Sequence, residues 1–210
     1  FNLHASLLPH YRGAAPINWA IINGETKTGV STFFIDEKID TGEMILQESI
    51  DIDSEENAGS LHDKLMKLGS ELVLKTIQII EKGPVTTIPQ TNPKDIKTAY
   101  KLNKDNCKID WNDSLDNIYN KIRGLSPYPG AWCSLKNGDD LLTVKIYKCE
   151  KEFSEHNHPV GNIVSSKQEL KVSTKKGFII IKEMQLPGKR NMDIKSLLNG
   201  YNFNIASKML

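Results

Sequence analysis

Cysteine is scarce in this sequence: Cys107, Cys133 and Cys149 are the only three, widely spaced and without a C-x-x-C pair. An odd count lacking metal-ligand spacing excludes a disulfide framework and a zinc site. It leaves three reduced thiols serving as small buried hydrophobes in a cytoplasmic protein. Long apolar runs are missing too. No segment reaches the roughly 20 apolar residues of a membrane-spanning helix, which sets a membrane partner aside. Net charge is nearly absent, at +1 over 210 residues. That neutrality hides a division: residues 1–93 hold 7 basic and 13 acidic side chains, residues 94–210 hold 20 and 13. Such asymmetry points to a polyanion facing the second part, against the plainer alternative of an evenly solvated basic surface.

What is present begins at once. In Phe1 to His4, FNLH, the alternation of a strand places Asn2 and His4 on one face and Phe1 and Leu3 on the other. Pro9 bars a helix at the residue before it, and Gly13-Ala14-Ala15-Pro16 bends into an apolar run that opens as a helix at Pro16. The amide and the imidazole therefore stand where a strand ends, the place where open α/β sheets bind ligands. A third group follows in STFFIDEKIDTGEMILQESIDI, read as strand (Ser31 to Ile35), acidic loop and strand (Met44 to Ile52). Asp40 lies in the break before Thr41-Gly42.

Asn2, His4 and Asp40 are the parts needed to move an acyl group to an amine without a covalent intermediate on the protein. When a neutral amine attacks a carbonyl, charge grows on the oxygen and a proton must leave the nitrogen. An amide N–H and an imidazolium stabilise the oxyanion. A carboxylate either holds the imidazole charged and oriented or helps relay the proton.

Along the chain, a short helix from Ile17 to Asn23 closes at Gly24, and a long amphipathic helix runs from about Ala58 to Lys82 with Ser54 or Asn57 as its cap. Leu61, Leu65, Leu68, Leu72 and Ile79 form one stripe, that of a helix covering a sheet. Residues 84–97, rich in Thr, Pro, Asn and Lys, read as a linker, with the domain boundary near Pro93. Beyond it, Asp113-Ser114 caps a helix from Leu115 to Arg123. Short strands follow: Ala131 to Leu135, Leu141 to Glu150, Val160 to Val164, Leu170 to Thr174 and Phe178 to Glu183, with a hairpin turn at Asn137-Gly138. This spacing predicts a small barrel of the oligonucleotide-binding (OB) type. Lys189 and Arg190 sit in a basic loop after the last strand, either a phosphate contact or an exposed charged turn, before a short helix from Met192 to Leu198. His62, His156 and His158 read as surface residues.

NLHASLLPHYRGAAP, followed by ETKTGVSTFFIDEKIDTGEM, resembles the folate-dependent formyltransferases in the order and spacing of its N-x-H, SLLP and D-T-G elements. The resemblance implies that Asn2, His4 and Asp40 are the catalytic triplet and that Ser6, Leu7, Leu8 and Pro9 are the folate-contacting turn, with 10-formyltetrahydrofolate as formyl donor and no metal. It also implies an α/β fold: part of an open Rossmann-like sheet in residues 1–93, then a small OB-like barrel in residues 94–210. Further parallel strands are expected ahead of Phe1, so that the chain reads as the carboxyl-side part of a longer protein. KLNKDNCKIDW, LSPYPGAW and LPGKRNMDIKSLL resemble the branch of the family whose amine acceptor is initiator methionyl-tRNA. In that branch the barrel would hold tRNA and the protein would act as a monomer. The alternatives are a sugar-amine enzyme of the UDP-amino-arabinose type, and an inactive piece serving only to bind tRNA.

Overall fold

The computed structural model describes residues 1–210, which form two compact units, Phe1–Leu102 and Asn103–Leu210. In the first unit the elements are β1 (Asn2–His4), β2 (Arg12–Gly13), α1 (Pro16–Ile22), β3 (Lys27–Phe33), β4 (Met44–Asp51), α2 (Ala58–Glu81) and β5 (Thr98–Ala99). β3 is the centre of an antiparallel sheet ordered β1-β3-β4, with His4 opposite Ser31 and Asn2 opposite Phe33. Its position between two strands explains its near-continuous burial from Thr28 to Phe33. β4, at the edge, alternates exposed with partly buried residues over most of its length.

α2 starts at a capping box: the Asn57 side chain accepts from the Ser60 N–H at 2.9 Å and the Ser60 hydroxyl accepts from the Asn57 N–H at 3.2 Å. Its apolar stripe puts Leu61, Leu65 and Leu72 into a core with Ala20, Ile21, Val30 and Ile52. Each such buried leucine is worth about 1.5–3 kcal/mol. At Gly69 the helix comes close to β1, where a Cβ would lie 2.8 Å from Leu3 Cδ2. Leu3 thus faces the helix, leaving Asn2 and His4 to the opposite face of their strand.

The first unit extends past the proline-rich connector to Leu102, beyond the boundary read near Pro93. The cause is pairing that composition does not announce: Thr98 and Ala99 run parallel to Arg12 and Gly13. Gly13, at φ +121°, must be glycine there, since a Cβ would stand 2.4 Å from the Ala99 carbonyl oxygen.

The second unit comprises α3 (Leu115–Gly124), β6 (Ala131–Asn137), β7 (Asp140–Glu152), β8 (Ile163–Ser165), β9 (Leu170–Thr174), β10 (Gly177–Gln185), β11 (Met192–Asp193), α4 (Ile194–Leu198) and β12 (Lys208–Met209). The strands follow the order β12-β6-β7-β10-β9-β8, with β11 paired to β10. A bridge between Asn162 and Lys208 carries the ladder from the start of β8 back to β12, nearly closing a barrel. Leu135, Ile146, Val172, Ile179 and Ile181 fill it. The helix expected from Met192 begins at Ile194 instead. Asp193 is its cap, accepting from the Ser196 N–H at 3.0 Å, while Met192 pairs with Met184.

Candidate active site

His4 ends β1 and is 7% exposed. Its Nε2 lies 2.8 Å from the Tyr11 carbonyl oxygen, which only accepts, so Nε2 carries a proton. Its Nδ1 faces Asp40 Oδ2 at 3.7 Å, beyond direct hydrogen-bond reach. The ring therefore has an acceptor beyond each nitrogen, an arrangement suited to an imidazolium. The same Asp40 oxygen accepts from the Gly13 N–H at 2.9 Å, while Oδ1 has no hydrogen-bond partner.

The backbone marks this place. Tyr11 (φ +62°) and Asp40 (φ +54°) are the only non-glycine residues in the left-handed region, and they are the two partners of His4. Such conformations persist where surrounding contacts over-determine them, and they gather at functional sites. Tyr11 is held at several points. Its N–H donates to the Lys97 carbonyl at 2.6 Å, and its hydroxyl donates to Glu25 at 2.5 Å while accepting from Asn23 at 3.2 Å. Burial, then the bond to Glu25, pushes the Tyr11 phenol well above its ordinary value. Burial acts to raise the Glu25 carboxyl, but hydrogen bonds from Lys97 and Tyr11 outweigh it and the group lies below its usual range.

Asn2 shares the His4 face two residues back, but it is exposed and its amide makes no hydrogen bond. The structure thus joins His4 and Asp40 and leaves Asn2 uncommitted beside them. In the SLLP turn, Ser6 and Leu8 are buried while Leu7 and Pro9 are half-buried. Ser6 spends its hydroxyl on the His10 carbonyl at 2.7 Å. Ser31 on β3 braces the turn, donating to the Ser6 carbonyl at 2.7 Å and accepting from the Leu8 N–H at 3.3 Å. Gln47 donates to Ser31 at 2.9 Å and to the Leu8 carbonyl at 3.1 Å. Reading the sequence missed the Tyr11 carbonyl, the Gly13 N–H, Ser31 and Gln47. Main-chain groups carry no motif, and Ser31 is one polar residue in an otherwise ordinary strand.

In the second unit Lys189 and Arg190 are exposed in the turn after β10, and neither side chain pairs with an acid. Lys104 and Lys108 lie 5.3 and 5.6 Å from the Trp132 ring centroid. His156 is tucked against Phe178 at 4.4 Å rather than fully solvated. No three His, Cys, Asp or Glu side chains gather as a metal site, and no helix is long and apolar enough to cross a membrane.

Two family models match the chain, "Formyl transferase" over residues 1–77 and "Formyl transferase, C-terminal domain" over residues 101–202. The chain belongs to the formyl transferase family. It is 59% identical to a methionyl-tRNA formyltransferase of Flavobacterium johnsoniae, across 100% of this chain and 66% of that protein. It is 47% identical to one from Parabacteroides distasonis, across 96% and 64%. The chain spans just under two thirds of the length of these curated relatives. Among solved structures, the family member resembles an N-formyltransferase from Helicobacter canadensis, in complex with folinic acid and dTDP-3-aminofucose. That match has 25% identity and a TM-score of 0.65 over 86% of this chain and 64% of that one. HypX from Aquifex aeolicus, in complex with tetrahydrofolic acid, shares the fold at 20% identity and a TM-score of 0.70, over 94% of this chain and 34% of that one.

Proposed function

We propose that this chain carries the reaction centre and the tRNA-holding barrel of an enzyme that transfers the formyl group of 10-formyltetrahydrofolate to the amino group of initiator methionyl-tRNA. The observation that carries the reading is the clasp on His4, made by the two left-handed residues Tyr11 and Asp40. The matches to methionyl-tRNA formyltransferases along the whole chain support methionyl-tRNA as the acceptor.

The roles follow from which atoms are already spent. Nε2 of His4 is bound to Tyr11, which fixes the ring, so the reacting carbonyl is served from Nδ1 across the 3.7 Å gap to Asp40. The Asn2 amide, unpartnered on the same face, supplies a second donor to the oxygen on which charge develops. Oδ1 of Asp40, uncommitted, accepts the proton that the attacking amine must lose. Ser6, Leu7, Leu8 and Pro9 form the folate-contacting turn. Leu7 and Pro9 offer its half-buried surface, and buried Ser6 and Leu8 set its shape. Neither a protein nucleophile nor a metal is required. Basic side chains of the barrel, Lys189 and Arg190 among them, hold tRNA phosphates, which adds affinity without reading sequence. The enzyme works in the cytoplasm as a monomer.

The test is to supply the complete protein with 10-formyltetrahydrofolate and either charged initiator tRNA or an amino-sugar nucleotide. Formylation of the methionyl-tRNA is expected. Formylation of the sugar alone moves the protein to the sugar-amine branch, and formylation of neither, with tRNA still bound, makes it a binding module.

A further inference from the structure

The connector read from composition as a linker lies along the loop that carries Asp40. Ile88 and Met44 exchange backbone hydrogen bonds at 2.8 and 2.9 Å, and the Thr87 hydroxyl donates to Glu43. Two residues on, the amide of Gln90 reaches both sides of the site. Its Nε2 donates to the carbonyls of Asp40, at 3.0 Å, and Gly42, at 2.7 Å. Its Oε1 accepts from Arg12 Nε at 3.1 Å and Arg12 Nη2 at 2.7 Å. Two donors and two lone pairs are thereby all used. The orientation of the amide is forced, since carbonyls only accept and a guanidinium only donates.

We propose that Gln90 is a positioning residue for formyl transfer, holding the Asp40 carboxylate against His4. This rests on the assignment of His4 and Asp40 made above. Asp40 sits in a backbone conformation that side-chain-bearing residues rarely adopt, so its carbonyl must be held from outside. Arg12 precedes Gly13, whose N–H binds the carboxylate, so the same amide pins the residue bearing the acid and the strand that receives it. The side chains nearest in shape do not replace it: glutamate lacks the donors, asparagine is a carbon too short, and leucine offers neither polar end.

The experiment measures kcat and KM for both substrates in the complete protein with Gln90→Leu and Gln90→Glu, beside His4→Ala and Thr87→Ala. Displacing a reacting group by about an ångström costs up to about 100-fold in rate. Gln90→Leu is therefore expected to lower kcat about 10- to 100-fold with both KM values within about twofold. Gln90→Glu, which keeps the Arg12 contact, gives a second reading if the leucine variant fails to fold. Thr87→Ala, on the same connector but bonded to Glu43, leaves kcat unchanged. The ring ¹⁵N resonances of His4 in the complete protein shift with Gln90→Leu, which mere loosening of the connector does not produce. If His4→Ala abolishes transfer while both Gln90 variants keep wild-type kcat, the role of Gln90 is overturned alone. If His4→Ala itself transfers at the normal rate, the underlying assignment has failed instead.

Discussion

Replacing Ser31 by alanine tests whether the turn beside His4 is built from β3. Ser31 is fully buried, and its one oxygen serves three partners: the Ser6 carbonyl, the Leu8 N–H and the Gln47 amide. Alanine takes the same space less an oxygen, so packing hardly changes and the cost lies in hydrogen bonding. Gln47 is exposed and keeps its bond to the Leu8 carbonyl at 3.1 Å, so it loses little. The Ser6 carbonyl and the Leu8 N–H lose the partner they have. At about 1–3 kcal/mol for each of these two orphaned buried groups, the variant loses on the order of 2–6 kcal/mol. That is a large share of the roughly 5–15 kcal/mol typical of a domain. Because the chain has two units, one unfolding curve does not isolate the effect, and hydrogen exchange at the Leu8 amide reads it locally. Ser31→Ala is expected to speed that exchange at least about tenfold and to weaken tetrahydrofolate binding by the complete protein. Gln47→Ala, removing the outer brace, costs under about 1 kcal/mol. Unchanged Leu8 exchange and stability within about 0.5 kcal/mol for Ser31→Ala would refute the bracing argument.

The barrel thiols and the basic loop give two further expectations. Burial pushes the Cys133 thiol up to about 12, and burial also raises Cys107 and Cys149. Since an unfolded thiol ionises near pH 8.5, the unfolded chain releases protons that the folded one keeps. Stability is thus complete below that pH and falls by about 1.4 kcal/mol per pH unit per buried thiol until the folded group titrates. Urea titrations between pH 8 and 10 should show this slope, shallower in Cys133→Ala, and native thiols should resist a disulfide reagent that modifies all three on unfolding. If the barrel holds RNA phosphates, Lys189→Ala and Arg190→Ala each weaken tRNA binding and flatten the log K against log salt plot by about one unit, whatever the RNA sequence. An unaltered slope in both leaves that loop a solvated turn.

Much of this was legible in the residues, and the pattern of what was not is instructive. The apolar stripe of α2 and the caps at Asn57 and Ser114 are local signals, and each element stands where they place it, while the hairpin expected at Asn137-Gly138 turns one residue later, at Gly138-Asp139, with Asn137 paired to Asp140. His4 and Asp40 were findable because the approach is made by their side chains, which the structure sets 3.7 Å apart. The rest of the clasp is main chain: the Tyr11 carbonyl and the Gly13 N–H exist in every residue and take on meaning only from a fold. Gln90 was hidden for another reason. Its segment has no periodicity, and pairing of Met44 with Ile88 and of Arg12 with Thr98 is a long-range choice that composition does not encode. Met192 shows the same limit in small, a residue with helix propensity taken into a strand by its neighbour Met184.

Formyl transfer by the complete protein carrying His4→Ala, measured at saturating methionyl-tRNA beside Asp40→Asn, puts the central claim to the most direct trial. Either change is expected to lower kcat by about 100- to 10,000-fold, the range for losing a placed acid–base group. Binding of the tRNA should stay as in the unaltered protein. Transfer at the unaltered rate by the His4→Ala protein would contradict that claim.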